Sequence, residues 1–112
     1  MNIHLAPRRW QGAVSVPPSK SLAHRHIALA ALSPQGGVVE LDEISRDVAD
    51  TIRAVTALGA NIHKDRNRIH IGAARTVKTA VIDADESATT LRFFLAIAPA
   101  LAQTAVFTGS AR

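Results

Sequence analysis

The stretch VPPSKSLAHRHIALAAL, residues 16–32, decides how the chain is read. Pro17 and Pro18 cannot donate backbone hydrogen bonds and end whatever extended segment precedes them. Ser19 follows as a good helix N-cap, and the apolar run behind it predicts a helix over 20–32. Into the first turns of that otherwise apolar helix the sequence places Lys20, Ser21 and Arg25. A lysine at a helix N-terminus opposes the positive end of the helix dipole, so its presence calls for a reason.

Outward from this helix, alternation and turn signals divide the rest of the chain. GAVSV at 12–16 alternates and predicts a short strand. SPQGG is a turn, and VVELDEI at 38–44 alternates again as a strand. Ser45 or Asp47 opens a second helix that runs to about Leu58, with Val48, Ile52, Val55 and Leu58 at helical spacing and Gly59 as its C-terminal cap. ANIHKDRNRIHI places Ile62 opposite Ile69 and Ile71 around KDRN, a hairpin pattern. TAVIDA predicts a strand. Ser87 opens a third helix through ATTLRFFLAIAPALA, which Pro99 should kink or end. TAVFT is a last strand before GSAR. The order strand, helix, strand, helix, hairpin, strand, helix, strand gives an α/β or α+β fold with mixed sheet content.

Bulk properties narrow the function classes. In 112 residues the apolar share is 47% and the aromatic share 4%, so Ala, Val, Ile and Leu must build the core. There is no cysteine, which excludes disulfides, thiolate catalysis and zinc–thiolate sites. No apolar run reaches the length of a membrane span, and MNIHLAPRRW lacks a signal-peptide core. The chain therefore reads as soluble and cytoplasmic. The net charge is +4, and ten of the thirteen basic residues are arginine, scattered along the chain. Scattered arginines suit planar anions such as carboxylate and phosphate.

Two segments could hold such an anion. At the first helix, Ser21 and Arg25 are four residues apart and share a face, and the free amides of the helix start favour negative charge. The plain alternative is a solvated Lys20 and an Arg25 whose stem lies along the surface. The second segment, DADESATTLRFF, offers Ser87, Thr89, Thr90 and Arg92 at another helix start; ordinary capping by Asp85 or Ser87 explains it equally. His24 and His26 are two apart on a helix and point in different directions, which argues against a shared metal. His63 and His70 fall in the hairpin, at the surface.

These residues also resemble a known family. VPPSKSLAHRHIALAAL is similar to the VPGSKSxxHRxLxLAAL signature of the EPSP synthases, ISRDVADTIRAVTALGA to their next helix, and DADESATTLRFFLAIAPALA to their GNxGTxxRxL or NESGSTLRFL segment. FTGSAR resembles the start of their TGxxxLxxRP segment. Four motifs in order cover nearly all of the chain. The resemblance implies transfer of the enolpyruvyl group of phosphoenolpyruvate to the 5-hydroxyl of shikimate 3-phosphate, in aromatic amino acid biosynthesis, with no metal and no organic cofactor. It implies that Lys20 contacts both substrates and acts in catalysis, and that Ser21 and Arg25 hold shikimate 3-phosphate. Lys20, Ala88, Thr89 and Arg112 would bind phosphoenolpyruvate, with Asp47, Glu86 and Arg92 as further candidates. The fold it implies is the inside-out α/β barrel of two lobes, each of three βαβαββ units. Residues 1–18 would open one lobe. Residues 19–112 would form about one unit, and the start of the next, in the other. The chain matches only the first quarter or so of the family pattern, so it is expected to be inactive alone and to need the missing C-terminal part.

Three positions depart from the pattern. Pro18 and Ala88 stand where glycine is usual, and Glu86 where asparagine is common. The Ala88 methyl would narrow the phosphoenolpyruvate pocket, which implies weak inhibition by glyphosate, a slightly longer anion. Rival readings stand beside this resemblance, one of them a non-catalytic binding or regulatory remnant that is stable alone. UDP-N-acetylglucosamine enolpyruvyl transferase shares the reaction type, but its pattern carries Lys-Asn in place of KS followed by HR. A small basic nucleic-acid-binding module is disfavoured by the scattered arginines and the lack of stacking aromatics.

Overall fold

The computed structural model describes residues 1–9 and 11–110. Its elements are α1 (Lys20–Leu32), β1 (Gly37–Glu40), α2 (Arg46–Ala57), β2 (Ile62–Asp65), β3 (Arg68–Ile71), β4 (Val77–Asp83), α3 (Ala88–Leu101) and β5 (Ala102–Thr108). The expected mixed α/β content is present, in two sheets. β1, β3 and β2 form an antiparallel sheet in that spatial order, and β4 and β5 pair in parallel. Parallel partners need a crossover, and α3 provides it, running straight into β5 at Ala102.

The three helices start alike. Ser19, Ser45 and Ser87 are the N-caps, and each accepts a bond from the amide three residues on, Leu22, Val48 and Thr90. Of the two candidates for opening α2, Ser45 is therefore the cap, and Asp47 lies inside the first turn, where its charge favours the dipole. The helix ends at Ala57, with Leu58 as C-cap and Gly59 behind it at a φ of 82°. Pro99 sits in the last turn of α3, which closes two residues later at Leu101.

The hairpin pairs Ile62 with Ile71 and Asp65 with Arg68, turning through Arg66 and Asn67, with Arg66 at a φ of 52°. β1 is shorter than the 38–44 expected. The Leu41 amide donates to the Asn67 carbonyl at the hairpin tip, and the ladder ends at Glu40. The strand expected at 12–16 is not formed: residues 11–16 have no strand partner among the described residues and lie exposed, Val14 and Val16 included. Alternation fits an extended chain, but a strand needs a neighbour to bond with.

The core lies between the helices and the two sheets. Ala23, Ile27 and Ala31 of α1 meet Val48 and Val55 of α2, Leu58 at the cap of α2, Ile69 and Ile71 of β3, Ile82 of β4 and Phe94 and Ala98 of α3. Alanine spacing on α1 brings helix and sheet close: a Cβ on Gly37 would lie 2.9 Å from the Ala30 Cβ. Gly36 at a φ of 71° is needed for the turn into β1, since a Cβ there would fall 2.2 Å from the Ile71 carbonyl oxygen. Among the described residues no helix is long and apolar enough to cross a membrane.

Candidate functional site

The first turns of all three helices face one open cavity of about 380 Å³. It is lined by Lys20, Ser21, His24 and Arg25 of α1, Asp47 of α2, and Thr89, Arg92 and Phe93 of α3. Helix starts present unbonded amides and a partial positive charge. Three cations, Lys20, Arg25 and Arg92, share this space with one carboxylate, Asp47. An anion is the ligand such a lining favours.

The charged groups are held in place. Lys20 Nζ donates to Asp47 Oδ2 at 3.0 Å, and both are well exposed, so the pair contributes little to stability. It orients Lys20 instead. Arg25 Nη1 donates to the Ser21 carbonyl at 2.7 Å and to the Ser21 hydroxyl at 2.5 Å. Its guanidinium carbon lies 5.6 Å from the Phe93 ring centroid, within cation–π range. The i, i+4 relation of Ser21 and Arg25 is thus a direct contact.

Beneath the cavity floor runs a buried polar chain. His24 Nδ1 is 2.6 Å from Thr51 Oγ1, Thr51 Oγ1 is 2.7 Å from Thr90 Oγ1, and Thr90 Oγ1 is 2.7 Å from Ser87 Oγ. The chain ties α1 to α2 and α2 to the cap of α3. Burial holds the His24 imidazole below the usual histidine range; Asp47 opposes this, Lys20 and Arg25 add to it, and Asp50 opposes it. Helical spacing counts Ile52 among the apolar positions of α2, yet Thr51 is fully buried there and Ile52 only half, and the pairing of Thr51 with Thr90 in the interior was not foreseen from the sequence. The signal was present as hydroxyls at positions where aliphatics would suffice, but their partners are 27 and 39 residues away.

The other expected residues fall elsewhere. Glu86 and Ala88 line a neighbouring cavity of about 440 Å³ with Asp85, Ser87, Leu91 and the segment 107–110. Thr89 and Arg92 face the Lys20 cavity because successive helical residues point about 100° apart. Pro17 and Pro18 border a third cavity of about 250 Å³ that shares Lys20. Arg112 lies outside the described residues. His24 is buried and His26 exposed, on different faces, and His63 and His70 are exposed neighbours across the hairpin, their rings 6.0 Å apart.

One buried charge stands beside the site. Asp50 is 1% exposed; its Oδ1 accepts from Arg53 Nη2 at 2.5 Å, and its Oδ2 has no partner among the described residues. Burial raises its pKa, Arg53 lowers it, and Asp85 and Asp47 add to the rise. A carboxyl whose folded pKa is raised binds protons more tightly in the native state, so it costs stability above its folded pKa and the cost fades as pH falls. Arg53→Ala removes the opposing charge. It should destabilise the chain by about 1–2 kcal/mol at neutral pH, the smaller end reflecting the half-exposed guanidinium. Urea unfolding at neutral and at mildly acidic pH checks this: the loss should shrink in acid, and an equal loss at both contradicts it.

The model of the family described as EPSP synthase (3-phosphoshikimate 1-carboxyvinyltransferase) matches residues 5–112. The protein named 3-phosphoshikimate 1-carboxyvinyltransferase in Clostridium perfringens (strain SM101 / Type A) is 38% identical over 96 residues, 83% of this chain and 23% of the relative. The protein of that name in Clostridium novyi (strain NT) is 36% identical over 119 residues, 96% of this chain and 27% of the relative. The chain spans about a quarter of the length of the curated relatives it matches.

Proposed function

The chain belongs to the EPSP synthase family, and from that premise we propose that its three-helix cavity binds the anionic substrates of 3-phosphoshikimate 1-carboxyvinyl transfer. Lys20, Ser21 and Arg25 hold shikimate 3-phosphate. Lys20 also reaches phosphoenolpyruvate, whose side would run from Thr89, Asp47 and Arg92 in this cavity to Ala88 and Glu86 at the neighbouring one, with Arg112 as a further ligand. The reaction moves the enolpyruvyl group to the shikimate 5-hydroxyl and releases phosphate. Arginine suits a bidentate grip on a phosphate and lysine a point charge. Such groups position reactants and stabilise charge as it moves. Lys20 is the catalytic candidate because it would touch both substrates.

The observation that carries this reading is the convergence of Lys20, Ser21 and Arg25 of α1, Asp47 of α2, and Thr89 and Arg92 of α3 on one cavity at three helix starts. Residues 1–18 would belong to one lobe and 19–112 to the other, within the family's inside-out α/β barrel. The chain spans about a quarter of a relative's length, which is in keeping with the view that these 112 residues do not turn over alone and act with further parts of a longer enzyme. No organic cofactor is involved. The test is calorimetric titration of the chain with shikimate 3-phosphate, UDP-N-acetylglucosamine and duplex DNA. Weak, saturable binding of shikimate 3-phosphate alone is expected. Preference for the nucleotide sugar, or DNA binding that falls steeply with salt, contradicts it.

The exposed Ala88 methyl opens α3 where a glycine would leave more room. We extend the proposal to glyphosate: a complete enzyme carrying this segment should be poorly inhibited, and Ala88→Gly should strengthen inhibition. Potent inhibition that Ala88→Gly leaves unchanged or weakens contradicts this.

A further inference from the structure

We propose that His24 is an additional ligand-binding residue of the cavity, presenting a neutral Nε2–H donor to the bound anion, with its tautomer fixed by the Ser87–Thr90–Thr51 hydroxyl chain. The inference rests on the reading of the cavity as an anion site. His24 is only 3% exposed, yet its ring lines the cavity beside Lys20, Ser21 and Arg25. Nδ1 is turned inward to Thr51, and Nε2 has no hydrogen-bond partner among the described residues. Nε2 is not among the buried polar atoms that lack a partner, so although the residue as a whole is buried, this nitrogen reaches open space at the cation-lined cavity, where a ligand can meet it.

The direction of the hydroxyl chain follows from counting protons. Three gaps separate Ser87, Thr90, Thr51 and His24, of 2.7, 2.7 and 2.6 Å. Three hydroxyl protons are available. At its outer end Ser87 Oγ already accepts the Thr90 amide as the helix cap. If each hydroxyl donates one step toward α1, the three protons fill the three gaps and Nδ1 is an acceptor. The imidazole proton then sits on Nε2, facing the cavity. Run the other way, the chain leaves the Ser87 proton without an acceptor among the described residues, in a side chain that is 3% exposed. The competing acceptor for Thr51, the Asp47 carbonyl, is 3.5 Å away, at the limit of a useful bond.

The arrangement suits its neighbours. Lys20 and Arg25 on α1, and Arg92 on α3, supply positive charge around the ring, while Asp47 and Asp50 on α2 supply negative charge. A neutral donor adds a directional hydrogen bond without a fourth cation. The same chain begins at the cap of α3, so Thr89 and Arg92 on that helix are mechanically tied to the face of α1 that carries Lys20 and Arg25. Thr51 and Thr90 act as positioning residues, through His24.

Nitrogen NMR of the imidazole rings in this chain, at neutral pH and then with inorganic phosphate, tests the proposal. His24 should be the neutral Nε2–H tautomer, and its Nε2 signal should move together with the amides of Lys20, Ser21 and Arg25. An Nδ1–H or cationic ring overturns the inference. Amides that move while Nε2 stays still overturn it too and leave the site reading intact. If phosphate moves neither, the site reading fails and the inference with it. His24→Ala should weaken phosphate binding roughly tenfold, the worth of one hydrogen bond to a charged group. Because His24 is buried, Thr51→Val provides the second variant. With helix content unchanged by circular dichroism, it should lose the tautomer preference; an unaltered Nε2–H signal contradicts the relay.

Discussion

Phe94→Ala is expected to destabilise the chain by about 3–5 kcal/mol. Phe94 is 1% exposed and among the largest fully buried side chains. It sits where α3 meets α1 and α2, against Ala28, Ala31, Val55, Leu58 and Ile97, with no space left for water. Truncation removes the ring's transfer free energy and leaves a hole that three helices cannot close together. Domains of this size hold only about 5–15 kcal/mol in total, so the variant should be near its unfolding point. Phe94→Leu should recover most of the loss. Urea unfolding measures both. A loss below about 1 kcal/mol would mean that α3 does not pack as described, and the cavity built on its first turn would go with it.

Arg25→Ala should weaken shikimate 3-phosphate binding by roughly 30- to 150-fold, the worth of about 2–3 kcal/mol for a charge-assisted contact. Arg25 is exposed, and among the described residues its side chain bonds only to Ser21 of its own helix while lying beside Phe93. Its loss should therefore leave the unfolding midpoint nearly unchanged. Arg25→Lys keeps the charge but not the planar fork, and should restore only part of the affinity. Equal binding by all three forms contradicts the assignment, whereas a parallel fall in stability would assign Arg25 to the fold.

What could be read in advance followed from local chemistry. Ser19 and Ser87 announced α1 and α3, and Ile62 facing Ile71 announced the hairpin, because capping and two-residue turns act over a few residues. The parallel pairing of β4 with β5 was not legible, since alternation in TAVIDA and TAVFT does not say which strand lies alongside. The segment 12–16 alternates like a strand, but its fate depends on a partner that local pattern does not encode. At the site, the contact of Ser21 with Arg25 followed from four-residue spacing. The meeting of Lys20 with Asp47, and of His24 with Thr51 and Thr90, depends on how three helices pack. Glu86 and Ala88 show the limit of motif reading: they neighbour Thr89 in sequence but border a different cavity.

The central claim is that the start of α1, with its cations, recognises a phosphorylated substrate. Amide NMR of this chain titrated with shikimate 3-phosphate tests it most directly. Dispersed spectra are expected in which Lys20, Ser21 and Arg25 shift and saturate, with Thr89 and Arg92 following across the cavity. A dispersed spectrum in which these amides stay fixed while residues elsewhere respond would contradict it.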